Sequence, residues 1–339
     1  MWSSGLNSYG QLGTGMEKTV VKSFAEVISG GAMAVAAGFV HSILAKDDGT
    51  VWVTGQNSKG QLGIKATATK GRFIMVKLAV RATGVAAGAY HTMVLTHYGR
   101  VLATGWNKYG QLGDESICDR SAFVEVVSSG AKFVTAGDIH SIVLKRDGSV
   151  WAAGRNYNGQ LGDRSSTDRN SFLNVMSSDA VAVAAGSCHT LVVKQDGSVW
   201  ATGWNTYGQL GDGSVTDRFE YMQVIPSGGK TVAAGSRHSM VLKEDGSVWA
   251  TGYNKYGQIG DGSMIDHNVF VQVIPNSAHA VAAGGFHSMA VLPDGSVWAT
   301  GSNRDGQFGD GTTTSEKVFV KLVKSGNGME HGTIIVLRS

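Results

Sequence analysis

Apolar residues in this chain come in short runs, broken by polar turns, and the runs repeat. In residues 219–253, FEYMQVIPSGGKTVAAGSRHSMVLKEDGSVWATGY, the run YMQVI alternates and TVAAG is short and small. HSMVL and SVWATG then flank the turn KEDG. Alternation over four to eight residues, bounded by Gly, Pro and Asp, predicts half-buried strands, and no periodic run is long enough for a helix. Asp-Gly between two apolar runs is a strong hairpin signal, and a type I′ turn with both central residues at positive φ is expected there. The pair recurs at Asp48, Asp147, Asp196, Asp245 and Asp294, with Tyr98-Gly99 in its place once. Each unit is therefore predicted to contain four strands and no helix.

The units are marked by a nine-residue word, GLNSYGQLG in its first copy and GYNKYGQIG in its sixth. Copies start at Gly5, Gly55, Gly105, Gly154, Gly203, Gly252 and Gly301, so the spacing is 49 or 50 residues throughout. A fixed period of this size marks a repeat architecture whose units bury their apolar faces against each other. Four strands repeated seven times predict an all-β, seven-bladed β-propeller of four-stranded blades, one domain over residues 1–339. The small VAAG strand suits the crowded axis. Trp2, Trp52, Trp151, Trp200, Trp249 and Trp298 recur in VWATG-like strands, with Leu102 once, and suit packing between blades. MWSSG at the N-terminus matches the last strand type of that series, and HGTIIVL at the C-terminus matches the strand before it. The expectation is a ring closed by pairing of the N- and C-terminal strands, which would remove open edges. Phe319 to His331 is 12 residues where Phe270 to His287 is 17, so the inner strand of the last blade is expected to be shortened or missing.

Composition refines this picture only slightly. Forty-eight glycines beside three prolines is a tight-turn composition, and charged residues make up 16%. The net charge of +3 is too small to suggest nucleic acid as a partner. Residues 1–100 hold 10 Lys/Arg against 4 Asp/Glu, which makes one side mildly basic: a solvated face, or one that meets an anionic partner. Cys118 and Cys188 sit at non-equivalent positions and are read as free thiols. No Asn-x-Ser/Thr sequon, secretory leader or membrane-length apolar run occurs, which favours cytoplasm or nucleus.

The word Gly-x-Asn-x-x-Gly-Gln-Leu-Gly, with Ala-Gly-x-x-His-Ser/Thr after it, resembles the regulator of chromosome condensation repeat family. The second motif supplies His41, His91, His140, His189, His238 and His287, with a weaker match at His331. The resemblance covers the whole chain and implies a seven-bladed propeller with a shared terminal blade. The founding member is a nucleotide-exchange factor for the small GTPase Ran that docks on nucleosomes, using an inserted wedge and a basic tail. Blades here carry neither. A plant ultraviolet-B photoreceptor of the family clusters Trp after Ala-Gly. The matching positions here are Phe39, Ala89, Asp138, Ser187, Ser236 and Gly285, so that role is not implied. A third relative, a bacterial inhibitor, binds β-lactamase with one face of its ring.

Chemistry is not expected. A histidine repeated in every unit is read as a hydrogen-bonder between strands, because catalysis needs one asymmetric constellation. Asn7, Asn57, Asn107, Asn156, Asn205, Asn254 and Asn303 are read as holding a turn through the side-chain amide. DGSVTD at Asp212 and DGSMID at Asp261 lack the ligand pattern of calcium loops, so no metal or other cofactor is expected. Asp119-Arg120, Asp168-Arg169 and Asp217-Arg218 are read as salt links within loops or between blades. No phosphate-binding loop, nucleophile elbow or Cys-x-x-Cys appears, so the chain is read as a non-enzyme.

Function should lie where the scaffold is constant and the side chain varies. The residue after the first Gly of the word is Trp106, Arg155, Trp204 and Tyr253 in four consecutive units, residue types that dominate interface hot spots. A second variable position, just before His, carries Tyr90, Arg237 and Phe286. Packing between blades is the competing reading for both sets. The leading expectation is a protein-interaction scaffold or subunit, monomeric by itself, that binds a protein through one face. Nucleotide exchange on a small GTPase and carbohydrate or small-ligand binding are the alternatives.

Overall fold

A computed structural model describes residues 1–15 and 20–322. Strands account for all regular structure among them. Six antiparallel four-stranded blades span residues 32–76, 82–127, 131–176, 180–225, 229–274 and 280–321, and each is laid down in chain order from inside to outside. In the third blade the strands are Ala131–Ala136, His140–Lys145, Val150–Gly154 and Arg169–Met176. First strands of successive blades approach one another, which places the small VAAG-type strands at the centre. Large side chains would collide there.

The seven-bladed closed ring is corrected by the structure. Six blades have four strands; the remaining sheet has two, Trp2–Leu6 paired with Val20–Glu26, and every sheet is open. The reason lies in the order of the repeat: Trp2–Leu6 matches the third strand of a unit and Val20–Glu26 the fourth. Pairing of Trp2–Leu6 with a C-terminal strand is not found among the described residues. HGTIIVL and His331, with the shortened inner strand expected beside them, lie outside those residues. Neighbouring sheets are stitched by single bridges from the residue after each repeated word, such as Asp163 to Glu220 and Asp212 to Val269. An equivalent bridge joins Asp310 to Ser23 of the two-stranded sheet.

The hairpin turn is also corrected. Gly148 takes φ 80°, while Asp147 is not among the positive-φ residues, so the turn is not type I′. Lys145 accepts from the Gly148 amide and donates to Ser149 O, which describes a type I turn followed by a left-handed glycine. The Asp is needed for its side chain: Asp147 Oδ1 accepts from the Ser149 amide at 2.9 Å and its hydroxyl at 2.6 Å. Ser149 Oγ in turn accepts from Trp151 Nε1 at 2.9 Å, and Lys145 Nζ lies 3.9 Å from the indole centroid. The same arrangement recurs around Trp200 and Trp249. These indoles pack onto the apolar clusters between blades: Trp151 lies against one drawn from the second and third blades, whose members include Leu95, Val101 and Ala131. Burial of those side chains between sheets is the main force holding blade to blade.

Candidate functional site

The histidines are structural in geometry. His140 Nε2 lies 3.0 Å from Thr190 Oγ1 of the next blade, and His41, His91, His189 and His238 reach the equivalent hydroxyl at 2.7–2.9 Å. Each hydroxyl has one proton, and it goes to the main-chain oxygen of the repeated Gln, as from Thr190 to Gln160 at 2.7 Å. The ring Nε2 must therefore carry the hydrogen and donate it. The small residue of Ala-Gly follows from this packing: a Cβ on Gly137 would sit 2.1 Å from His140 Cε1. Burial holds His41 and His238 down to about 3, and His287 down to about 4, so these rings stay neutral.

The asparagines hold the turn. Asn107 Oδ1 accepts from the Leu112 amide at 2.9 Å, and all seven copies make this bond to the residue five positions on. Asn107 Nδ2 donates to Asp114 Oδ1 at 2.8 Å. The arginines of the Asp-Arg pairs do form salt links within their loops, with an aspartate other than the adjacent one. Arg120 pairs with Asp114, six residues earlier, and Arg169 and Arg218 pair likewise with Asp163 and Asp212. Burial would raise the Asp114 pKa, but Arg120, Ser116 and Asn107 outweigh it and hold the carboxyl below its ordinary value. Asp119 and Asp217 accept instead from the main-chain amides of Asn107 and Asn205. The acidic side chains of these loops are thus occupied, and among the described residues no group of three or more His, Cys, Asp or Glu is placed to hold a metal ion.

The two variable positions meet on one face. His91 pairs with Gly105 across the hairpin, so Tyr90 and Trp106 flank that pair, and the Trp106 amide donates to Tyr90 O at 2.8 Å. Arg155 with Ile139, Trp204 with Cys188, Tyr253 with Arg237 and Ser302 with Phe286 repeat the bond. The loops after the first and third strands of each blade therefore carry both sets side by side. Their side chains form a belt across five blades. Tyr90 meets Trp106 edge-on at 6.1 Å, Trp106 meets Tyr109 at 5.4 Å, and the Arg155 guanidinium lies 4.9 Å from the Tyr109 centroid. Further round, Arg237 sits 5.1–5.9 Å from the centroids of Trp204, Tyr207, Tyr253 and Phe286, and bonds Tyr207 Oη at 3.2 Å. Arg304 lies 5.0 Å from the Tyr256 ring. Cys188 lies between the two groups, within the field of both Arg155 and Arg237; burial pushes its thiol up to about 12, which leaves it inert.

Every one of Tyr90, Trp106, Arg155, Trp204, Arg237, Tyr253 and Phe286 is half-buried. They are neither sealed between blades nor free in solvent: each is packed against a neighbour with part of its surface open. Sequence reasoning missed Tyr109, Tyr207 and Tyr256, the fifth residue of the repeated word, which stack at the centre of the belt. The signal was present, since this position is variable too: Tyr9 in the first unit, and Lys59, Asn158 and Asp305 in the remaining three. It also missed Arg304 and Tyr157, both exposed at the belt's edge. No helix among the described residues is long and apolar enough to cross a membrane.

Comparison with solved structures gives close overall matches at low identity. Human WBSCR16 superposes with a TM-score of 0.87 at 21% identity, over 96% of this chain and 94% of that one. Yeast RCC1 (Prp20), bound to Kap60, gives 0.83 at 19% identity over 96% and 83%. Prp20p from Saccharomyces cerevisiae, described with its binding to Gsp1p and histones, gives 0.81 at 21% identity over 96% and 86%. These proteins share the fold. No curated protein matches the chain. The model of the RCC1-like domain matches residues 1–334. Propellers of this kind are interaction modules rather than chemical catalysts, and this chain belongs to the RCC1-like domain family.

Proposed function

We propose that this chain is a non-catalytic, protein-binding propeller that engages its partner through the face bearing the Trp–Tyr–Arg belt. The observation that carries this reading is the convergence of both variable positions into one half-exposed surface. Packed aromatic and arginine side chains with an open edge are the composition of interface hot spots. Exposed apolar side chains at the loop tips, Ile117, Val215 and Met264, extend the same face outward and suit an interface rim. The belt supports carbohydrate binding less well, because the arginines lie over the ring faces that a sugar would use.

The test is affinity capture from native extract with wild type and a Trp106→Ala, Arg155→Ala, Trp204→Ala, Tyr253→Ala variant, both shown to be folded. A partner retained by the first and lost by the second is the expected result; equal retention would overturn the reading. Nucleotide exchange on a small GTPase is the second reading. Likeness to Prp20p, described as binding Gsp1p, favours it, as does the resemblance to an exchange-factor family. Release of a fluorescent guanine nucleotide from small GTPases, with and without this protein, decides it. The same likenesses favour the nucleus over the cytoplasm as its setting.

A further inference from the structure

The arginines of the belt differ from those of the outer loops beside it. Those of the outer loops are neutralised: Arg120, Arg169 and Arg218 each hold an aspartate at 2.6 Å, and Arg164 holds Glu220 at 3.0 Å. Arg155, Arg237 and Arg304 of the belt make no ion pair among the described residues, and neither do Arg72, Arg81 and Arg146 elsewhere in the molecule. The belt arginines are held by stacking on rings, and Arg237 in addition by the Tyr207 hydroxyl. A stacked guanidinium loses little further freedom on binding, and its in-plane N–H groups stay aimed outward for a planar, bidentate acceptor. Asp217 and Asp266 turn their Oδ1 atoms to the main-chain amides of Asn205 and Asn254 rather than to these arginines.

We propose, resting on the docking reading above, that the belt recognises an acidic peptide segment of its partner, with Arg155, Arg237 and Arg304 each receiving a carboxylate. The three arginines lie on the third, fifth and sixth blades, so a single small anion cannot satisfy them. An extended segment with carboxylates several residues apart can. Single-stranded nucleic acid is the competing polyanion, and the geometry disfavours it: base stacking needs open ring faces. Here the rings meet edge to face, and guanidinium groups lie over them.

The experiment is fluorescence anisotropy at low ionic strength with three labelled probes: a decapeptide of alternating Glu and Gly, its Lys counterpart, and a thymidine decanucleotide. The acidic peptide should bind, the lysine peptide should not, and affinity should fall as salt rises. Arg155→Gln, Arg237→Gln and Arg304→Gln should each weaken it by about fivefold. The triple Arg→Lys variant should stay weak, because an ammonium cannot present the fork. Arg304 is exposed and touches one ring, so Arg304→Gln answers even if Arg237→Gln disturbs the belt. Binding unaffected by the triple Gln variant, binding of the oligonucleotide alone, or no binding of the acidic peptide would each overturn the proposal. A captured partner lost on Trp204→Ala but kept by the triple Gln variant would overturn it too, while leaving the docking face intact.

Discussion

His238 and Arg237 are neighbours in the chain and opposites in the molecule. His238 is fully buried, donates to Ser288 of the next blade, and is one of a set that hardly varies. Arg237 sits in the loop just before that strand, half-exposed, among four aromatic rings, and its position holds Val, Tyr, Ile, Cys or Phe in other blades. One step takes the chain from the loop into the sealed strand. The relay therefore fixes the blades relative to one another, and the position beside it is free to vary without touching that relay. Repetition marks what the scaffold needs, and departure from it marks a surface under another demand.

Acid should separate the two regions most sharply. The folded values of His41, His238 and His287, about 3 to 4, lie below the ordinary 6.5. Between those limits the unfolded chain binds protons that the folded chain does not, so stability rises with pH and is lost as pH falls. Each histidine contributes a slope of up to about 1.4 kcal/mol per pH unit. Urea midpoints should drop from pH 6.5 to 5.5, a window above the one in which Asp and Glu take up protons. A flat profile there would mean that the relay is not the sealed, neutral network described. Peptide binding by the folded fraction should change little over that window, in which the Glu side chains of the probe stay ionised.

A smaller but more local contrast comes from single substitutions. Gly137→Ala puts a Cβ 2.1 Å from His140 Cε1 and 2.4 Å from Gly186 O, and neither the ring nor the neighbouring backbone can move without breaking the relay. It should cost about 3 kcal/mol or more in chemical denaturation. Trp106→Ala, on the half-exposed belt, should cost about 1 kcal/mol while removing partner binding. If Trp106→Ala costs as much as Gly137→Ala, the belt is scaffold and the comparison fails.

Much of this was legible in the sequence because it is said repeatedly. Strand positions, the hairpins and the structural roles of His and Asn follow from a word that recurs with one period. The rest was legible to different degrees. The number of four-stranded blades depends on which strands share a sheet, and the third- and fourth-strand matches at Trp2–Leu6 and Val20–Glu26 stand as a two-stranded sheet. The meeting of Tyr90 with Trp106 depends on hairpin register. That register could have been derived, since each His lies fourteen residues before the Gly it pairs with, as His91 does before Gly105. The stacking of Arg237 on rings from three blades could not, because it depends on how neighbouring blades are set against each other.

Tyr221 tests the rule that departure from the repeat marks function. Phe24, Phe73, Phe123, Phe172, Phe270 and Phe319 occupy its position elsewhere, each with its ring against the last Gly of a repeated word. Tyr221 packs in the same way on Gly162, where a φ of +74° and a Cβ that would fall 2.5 Å from the ring leave no room for a side chain. Its added hydroxyl is buried with no hydrogen-bond partner among the described residues, and burial raises its pKa. Here the departure buries a polar group for no visible gain. Tyr221→Phe should therefore stabilise the protein by about 1 kcal/mol and leave binding by the belt unchanged, while Phe270→Tyr should destabilise it by a similar amount. A loss of stability in Tyr221→Phe would show that the hydroxyl is satisfied after all. A loss of binding would mean that the variable surface reaches between the blades. The expected gain would confine the rule to departures with an open edge, and it is the open edge that sets Arg237 apart from Tyr221.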